Sequence, residues 1–164
     1  MKKNKIEIEI FEYESIDELR EEDQRLLISA REAGKNAYAP YSGFRVGASV
    51  LLGNGEIVQG NNQENVAYPS GLCAERVALF HAAAAFPGIT IRAIAISNVG
   101  NENTSSQIAK PCGACRQVLS EYEDLSGSPI RIILDGDNRI YIIEGIDNLL
   151  PLRFKREDLS NNKI

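Results

Sequence analysis

The chain has 164 residues, of which 43% are hydrophobic and 25% charged, a composition typical of a folded protein with one domain. Its net charge is −5 and Lys and Arg are not clustered, which argues against nucleic acid as a partner. No apolar run approaches the roughly 20 residues that cross a membrane, and the N-terminus lacks the apolar block of a signal peptide. We therefore expect a cytoplasmic protein that does not bind membranes.

The first part of the chain predicts a strand, a helix and a hairpin. Residues 5–12 alternate apolar and polar side chains, which indicates a half-buried strand or an extension that pairs at a sheet edge. The S-x-x-E capping box at 15–18 predicts the start of an amphipathic helix. Strands at 44–52 and 56–60 flank an Asn-Gly pair, and this pair predicts an antiparallel hairpin.

The second part predicts two more helices and three more strands. One helix spans 73–86, and another follows the Pro-Cys-Gly-Ala-Cys motif at 111–115 after a polar loop over 98–110. The predicted strands are 91–97, 129–135 and 139–144. The first of these is continuously apolar and therefore central, and the last two are close enough to form a hairpin. The order predicts an α/β fold, a single domain of three layers (α/β/α) with a five-stranded mixed sheet.

The cysteines give the clearest chemical signal. Cys112 and Cys115 have C-x-x-C spacing at one helix start, and Cys73 lies at another. Helix N-termini stabilise thiolates, and two such termini packed over a sheet would bring three thiolates together, which suits tetrahedral zinc. His81, the only histidine, is about 12 Å from Cys73 along the helix, too far to share the metal. Three ligands and one open position are typical of a catalytic zinc.

Glu75 lies on the same helical turn as Cys73 and can approach water at the open metal position without being a ligand. A carboxylate placed there can move protons. Each residue also has a plainer interpretation: Cys73 as a core residue, Glu75 as a partner of the helix dipole, and Arg76 as a surface charge. Because three thiolates on a dication leave a charge near −1, an arginine beside them would offset it.

Longer motifs resemble a known family. The C-A-E at 73–75 is followed by P-C-G-A-C-R-Q-V, and with NNQENVAYPSGLCAER and YAPYSGFRVGA the chain resembles the cytidine deaminases of nucleoside salvage over about residues 20–159. Cys73 stands where the zinc-deaminase signature H-x-E has histidine. In this substitution the chain resembles the small homotetrameric class of cytidine deaminases. The resemblance implies a cytidine deaminase domain over 16–164, preceded by an N-terminal extension over 1–15.

The resemblance also implies an activity, the zinc-dependent hydrolytic deamination of cytidine and deoxycytidine to uridine and deoxyuridine. By this resemblance Cys73, Cys112 and Cys115 bind one Zn²⁺ per chain. Zinc-bound hydroxide attacks C4 of the pyrimidine while Glu75 shuttles protons. Arg76 matches the family arginine that compensates the charge of the ligand thiolates.

Four further positions match family residues that hold the nucleoside within one chain. Phe44 matches the aromatic residue that lines the pocket. Asn62 and Glu64 match the residues that hold the ribose hydroxyls, and amide and carboxylate groups are suitable partners for hydroxyls. The backbone N–H of Ala74 is expected to reach O2 of the base.

Two other positions imply that active sites are shared in a homotetramer, since Tyr68 and Phe154 match residues that neighbouring subunits contribute. Three residues depart from the family pattern: Lys110 before the Pro-Cys motif, and Leu152 and Arg153 before Phe154. These departures concern the pocket and the subunit contacts, and they leave the metal ligands and the proton shuttle unchanged.

Several other functions are open at this stage. A related deaminase could act on another small molecule, such as a cytosine-containing antibiotic. Editing of RNA or DNA is a further possibility, against which the acidic composition argues. From a different class, the chain could be a zinc-binding module without chemistry, or a redox protein that uses its C-x-x-C motif.

Overall fold

The computed structural model describes residues 1–100, 108–136 and 138–159, so part of the loop predicted over 98–110 lies outside the described residues. Six strands form one mixed sheet in the order β1-β6-β5-β4-β2-β3. The strands are β1 (Phe11–Tyr13), β2 (Val46–Leu52), β3 (Ile57–Asn61), β4 (Ile91–Asn98), β5 (Arg131–Asp135) and β6 (Ile140–Glu144). Neighbouring strands are antiparallel except β4 and β5, which are parallel.

Helices cover both faces of the sheet. They are α1 (Glu21–Lys35), α2 (Ala74–Ala85) and α3 (Gly113–Ser126). Successive side chains of a strand point to opposite faces: in β4, Ile94 packs with the cluster that includes α2 and α3, and Ala95 packs with α1. The predicted three-layer α/β/α fold is confirmed. Among the helices of the described ranges, none has the length and apolar character to cross a membrane.

The sheet has one strand more than the five predicted. Strand β1 adds to the edge by pairing antiparallel with β6, where Phe11 lies opposite Ile142. The predicted strand over 5–12 is largely absent, since residues 5–10 are exposed and belong to no strand. An alternating pattern shows which side chains would share a face, but it does not show how far a partner strand extends.

The capping box marks a short turn rather than the start of α1. The Ser15 hydroxyl accepts a hydrogen bond from the Asp17 N–H at 3.1 Å and caps a single 3₁₀ turn over Ile16–Glu18. Helix α1 begins at Glu21, and its N-cap residue makes no side-chain capping bond. The motif therefore marks the turn that leads into the helix, and the helix start that it predicts is five residues too early, since the N-cap of α1 is Arg20 and not Ser15.

Two glycines allow helices to lie directly on β2 and β3. A Cβ at Gly47 of β2 would overlap the carbonyl oxygen of Ala30 in α1, and a Cβ at Gly60 of β3 would overlap the backbone of Ala78 in α2. A side chain at either position would push a helix away from the sheet. Since Cys73 is the N-cap of α2, Gly60 helps to place this cysteine.

Candidate active site

Three cysteine sulfurs meet where α2 and α3 begin. Cys73 is the N-cap of α2, Cys112 is the N-cap of α3, and Cys115 lies in the first turn of α3. The Sγ atoms of Cys73 and Cys112 are 3.9 Å apart, and those of Cys112 and Cys115 are 3.5 Å apart. All three sulfurs lie within 4.8 Å of one another. The fold thus brings together side chains from two helices at a single point.

This spacing fits a tetrahedral zinc ion. Two sulfurs that each lie about 2.3 Å from zinc, at the tetrahedral angle, are about 3.8 Å apart. The Cys73–Cys112 and Cys112–Cys115 sulfur distances given above are close to this value. Within residues 1–100, 108–136 and 138–159, these three cysteines are the group of His, Cys, Asp and Glu side chains able to share a metal. A fourth coordination position is then open to water or substrate, as it is in catalytic zinc sites.

The thiols differ in their readiness to ionise. The pKa of Cys73 is lowered to about 5, because the Cys115 thiol donates a hydrogen bond to it and Arg76 adds a further bond and a positive charge, which together outweigh burial. The Nη2 of Arg76 lies 3.5 Å from the Cys73 sulfur. The pKa of Cys115 is raised by its bond to Cys73 and by burial. A coordinating cation would deprotonate the remaining thiols.

Glu75 is buried beside the thiols, with 4% of its surface exposed. Burial raises the pKa of its carboxyl group, and the nearby charge of Cys73 acts in the same direction. A hydrogen bond with the Cys115 thiol and the charge of Arg76 oppose this increase. A carboxyl group with a raised pKa beside a candidate metal site is suited to accepting and returning a proton during a reaction.

A groove of about 490 Å³ opens beside Cys73. Its walls include Asn62, Glu64 and Tyr68, three of the residues predicted to bind substrate, and also Arg76. The volume lies in the range of about 300–1,000 Å³ that is usual for small-molecule sites. The groove is therefore large enough for a ligand of nucleoside size at the edge of the thiol cluster.

Asn62 also fixes the chain segment that carries Phe44. Its Oδ1 accepts a hydrogen bond from the Val46 N–H at 2.8 Å, and its Nδ2 donates to the Phe44 carbonyl oxygen at 2.9 Å. The amide keeps a second N–H for another partner. The Phe44 side chain is 41% exposed and lies outside the residues that line the groove.

Glu64 holds a turn that the sequence analysis did not single out. Its Oε2 accepts a hydrogen bond from the Tyr41 N–H at 2.8 Å, and its Oε1 accepts one from the Ser42 hydroxyl. These bonds, that of Ser42 first, lower the pKa of Glu64 below its usual value. Tyr41 packs edge-on against Tyr68, with ring centroids 6.2 Å apart. The sequence Pro-Tyr-Ser-Gly at 40–43 is typical of a turn, but it cannot show that Glu64 is the residue that holds this turn.

Phe154 lies away from the groove in one chain. It lines a separate cavity of about 1110 Å³ together with residues of α3 such as Gln117. Phe154 and Tyr68, both predicted to serve neighbouring subunits, are 58% and 76% exposed. Ala74 is buried at the first position of α2, where a backbone N–H has no partner within the helix.

Comparison with known proteins is consistent with this geometry. Residues 20–125 match a family model described as the cytidine and deoxycytidylate deaminase zinc-binding region. The chain belongs to this deaminase family. It is 38% identical to a cytidine deaminase of Sporosarcina psychrophila, over 84% of this chain and 94% of the relative. It is 36% identical to one of Mycobacterium tuberculosis H37Rv, over 82% and 91%.

Solved structures in the family share the fold. The crystal structure of cytidine deaminase from Burkholderia pseudomallei matches with a TM-score of 0.68 at 37% identity, covering 79% of this chain and 97% of that chain. These matches confirm the resemblance to cytidine deaminases that the cysteine motifs indicated. Zinc is the cofactor, because the matched region is the zinc-binding region of the family and contains the cysteine cluster.

Proposed function

We propose that this chain catalyses the hydrolytic deamination of cytidine and deoxycytidine to uridine and deoxyuridine, with release of ammonia, in pyrimidine salvage. One observation carries the proposal: three cysteine sulfurs with zinc-like spacing lie next to a buried glutamate and a groove of nucleoside size. Relatives named cytidine deaminase, which match most of the chain, support the choice of substrate.

The proposed metal ligands are Cys73, Cys112 and Cys115. Zinc held by three protein ligands supplies a Lewis acid that activates water at neutral pH. Glu75 accepts a proton as water adds to C4 of the base, and it passes that proton to N3. It then takes the proton of the new hydroxyl group on C4 and delivers it to the amino group, which leaves as ammonia while C4 becomes the carbonyl carbon of the product. Arg76 offsets the negative charge of the thiolates, and its bond to Cys73 supports this role.

The groove would hold the nucleoside in one orientation. Asn62 and Glu64 would bind the ribose hydroxyls with the N–H and the lone pairs that their contacts to the 41–46 segment leave available. The backbone N–H of Ala74 would donate to O2 of the base, and Phe44 would contact the ring. Glu64 is suited to this role because its lowered pKa keeps the carboxylate ionised at neutral pH.

We further propose a cytoplasmic homotetramer in which Tyr68 and Phe154 complete the sites of neighbouring subunits. The exposure of both rings in a single chain supports this arrangement. The deaminase domain would comprise residues 16–164, and residues 1–15 would be an extension, part of which forms the edge strand β1. The net charge of −5 supports a free nucleoside rather than a polyanionic nucleic acid as the substrate.

The primary test measures turnover and metal content in the same preparation. The loss of cytidine absorbance is followed with purified protein before and after a strong chelator, and zinc is determined by atomic absorption. About one zinc per chain and turnover that disappears with the metal would support the proposal. One zinc per chain without turnover of cytidine or deoxycytidine would contradict it and would favour a related deaminase or a binding module.

A further inference from the structure

Arg153 is buried in a cluster of acceptors, although it is one of the residues that depart from the family pattern. Its side chain is only 5% exposed. It donates hydrogen bonds to the Ser120 hydroxyl at 2.6 Å, to Asp124 Oδ1 at 2.9 Å and to Asp147 Oδ1 at 2.7 Å. Glu123 lies 3.6 Å from the same guanidinium. One side chain therefore joins the C-terminal segment to α3 and to the turn that follows β6.

The neighbours of Arg153 are exposed. Leu152 has a φ of 59° and is 92% exposed, a left-handed conformation that is unfavourable for a residue with a Cβ. The Phe154 side chain is 58% exposed, while its carbonyl oxygen accepts a hydrogen bond from Gln117 at 3.0 Å. Phe154 is thus held on α3 through its own carbonyl oxygen and through the side chain of Arg153, while more than half of its surface stays exposed.

The planar guanidinium of arginine has several N–H donors in fixed directions, so it can hold several acceptors in one arrangement. The flexible ammonium group of lysine cannot do this. In this chain the guanidinium contacts acceptors of α3 and of the following turn at the same time. The ring of Phe154, the next residue, is therefore placed relative to the helix that also carries Cys112 and Cys115. Loss of these bonds would release the segment and leave its strained backbone without support.

We propose that Arg153 is a positioning residue for Phe154, and that it sets the place from which this ring reaches the active site of a neighbouring subunit. The inference rests on the proposed function, in which Phe154 contacts the nucleoside. Arg153 itself touches neither substrate nor metal. Its effect on substrate binding passes through the aromatic ring, in addition to any effect on the stability of the fold.

A double-mutant cycle tests this coupling. The zinc-loaded wild-type protein is compared with Arg153→Ala, Phe154→Ala and the double variant, and KM and kcat per bound zinc are measured with cytidine. We expect Arg153→Ala to raise KM at least about threefold and Phe154→Ala to raise it as much or more. In the Phe154→Ala background, Arg153→Ala should change KM no further, because the ring through which it acts is missing.

A matched control separates positioning from stability. Arg92→Ala removes another arginine that makes two hydrogen bonds to a carboxylate, that of Glu22, and KM should stay at the wild-type value. Arg153→Ala is expected to lower the melting temperature in both the wild-type and the Phe154→Ala background. It should raise KM only in the wild-type background. If Arg153→Ala does not fold, Arg153→Lys is taken through the same cycle, since lysine keeps the charge but cannot reproduce the fixed donor geometry.

Several results would overturn the inference. They are an equal KM increase from Arg153→Ala in both backgrounds, a Phe154→Ala variant with wild-type KM, and an Arg153→Ala variant in which only the melting temperature changes. The turnover of the zinc-loaded wild-type protein shows whether only this inference fails or the proposed function fails as well. If the wild-type protein deaminates cytidine, any of these results removes the inference alone. An inactive zinc-loaded wild-type protein would remove the proposed function, and the inference with it.

Discussion

At the scale of single residues, Glu75 is a buried carboxylate that lies beside thiols, whereas the buried carboxylates of Asp23, Glu123 and Asp135 each pair with an arginine. Glu75 is 4% exposed, and burial raises the pKa of its carboxyl group. Glu21 also lies in the first turn of a helix, α1, where it is exposed to solvent. The two residues therefore form a matched pair, in which one has the surroundings of a proton shuttle and the other those of a helix-dipole partner.

We predict that Glu75→Gln retains about one zinc per chain and loses nearly all turnover of cytidine. Proton transfer by a positioned group contributes about 10²–10⁴-fold to a rate, and glutamine has the size of glutamate but cannot accept the proton. Steady-state kinetics and zinc analysis measure both quantities. Glu21→Gln is the control and should keep wild-type kinetics. Wild-type turnover in Glu75→Gln would contradict the proposed mechanism.

Arg76 contributes a hydrogen bond and a positive charge to Cys73. Its Nη2 donates to Cys73, whereas its Nε is buried without a hydrogen-bond partner among the described residues. We predict that Arg76→Gln keeps zinc but lowers kcat, and moves the acidic limb of the kcat–pH profile to higher pH. Without the positive charge of Arg76, the thiolates would make a bound zinc ion a weaker Lewis acid. The pKa of the water that it activates would then be higher. An unchanged profile would show that this charge is not needed.

Ser42 controls the ionisation of Glu64. Its hydroxyl is the main cause of the lowered Glu64 pKa, because it donates a hydrogen bond to the charged form. We predict that Ser42→Ala raises the Glu64 pKa, so that protonation begins at a higher pH as the solution is acidified. Side-chain carboxyl resonances followed by carbon-detected NMR during a pH titration measure this change. A midpoint at or below that of the wild-type protein would contradict the assignment.

At the scale of elements, local signals predict the type of most elements, but the capping box and the alternating pattern over 5–12 misplace the start of α1 and the extent of β1. The Asn54-Gly55 pair correctly predicts the β2–β3 hairpin, and Gly55 has the positive φ, 89°, that such turns require. The apolar β4 is central, as its composition predicts. An edge pairing was expected for residues 5–12, but the count of five strands left out β1, because its partner β6 lies more than a hundred residues away in the chain.

The candidate site could be predicted to a similar extent. Helix-start positions and C-x-x-C spacing indicate that the three cysteines can meet, and the fold does bring them together. The contacts of Asn62 and Glu64 to the 41–46 segment could not be predicted, since their partners, which are backbone groups and the Ser42 hydroxyl, are brought near only by the tertiary fold. The buried network of Arg153 was missed because a charged residue near a chain end has no sequence pattern that distinguishes it from a solvated one.

Two glycines provide a test of how helix placement affects the metal site. We predict that Gly60→Ala and Gly47→Ala each destabilise the fold by about 1 to 3 kcal/mol, because the added methyl group overlaps a helix backbone. Only Gly60→Ala should also weaken zinc binding, since it displaces α2 and with it Cys73, whereas α1 carries none of the proposed ligands. Denaturant unfolding and competition with a zinc chelator measure the two effects. Equal zinc affinity in both variants would contradict this assignment.

At the scale of the whole molecule, a single chain does not bring Phe154 to the groove. If neighbouring subunits supply this ring, sites can be rebuilt from two defective chains. Glu75→Gln is expected to be nearly inactive alone, and Phe154→Ala to have a raised KM. We predict that turnover at low cytidine concentration rises when the two variants are denatured together and refolded as mixed oligomers. Some sites would then combine Glu75 of one chain with Phe154 of another. Light scattering should report about four chains of 18.1 kDa per particle, and the absence of any gain would argue against shared sites.

The wide separation of the cysteines along the chain has a consequence for biosynthesis. Cys73 and Cys112 are 39 residues apart, and the central strand β4 lies between them, so the adjacent pair of Cys112 and Cys115 offers only two ligands before the layers assemble. The complete three-thiolate site therefore exists only when α2 and α3 have docked, so zinc bound there would contribute its binding free energy to folding. Thiols that are not yet joined in this site are open to oxidation, so we expect the yield of folded protein to depend both on zinc and on a reducing agent.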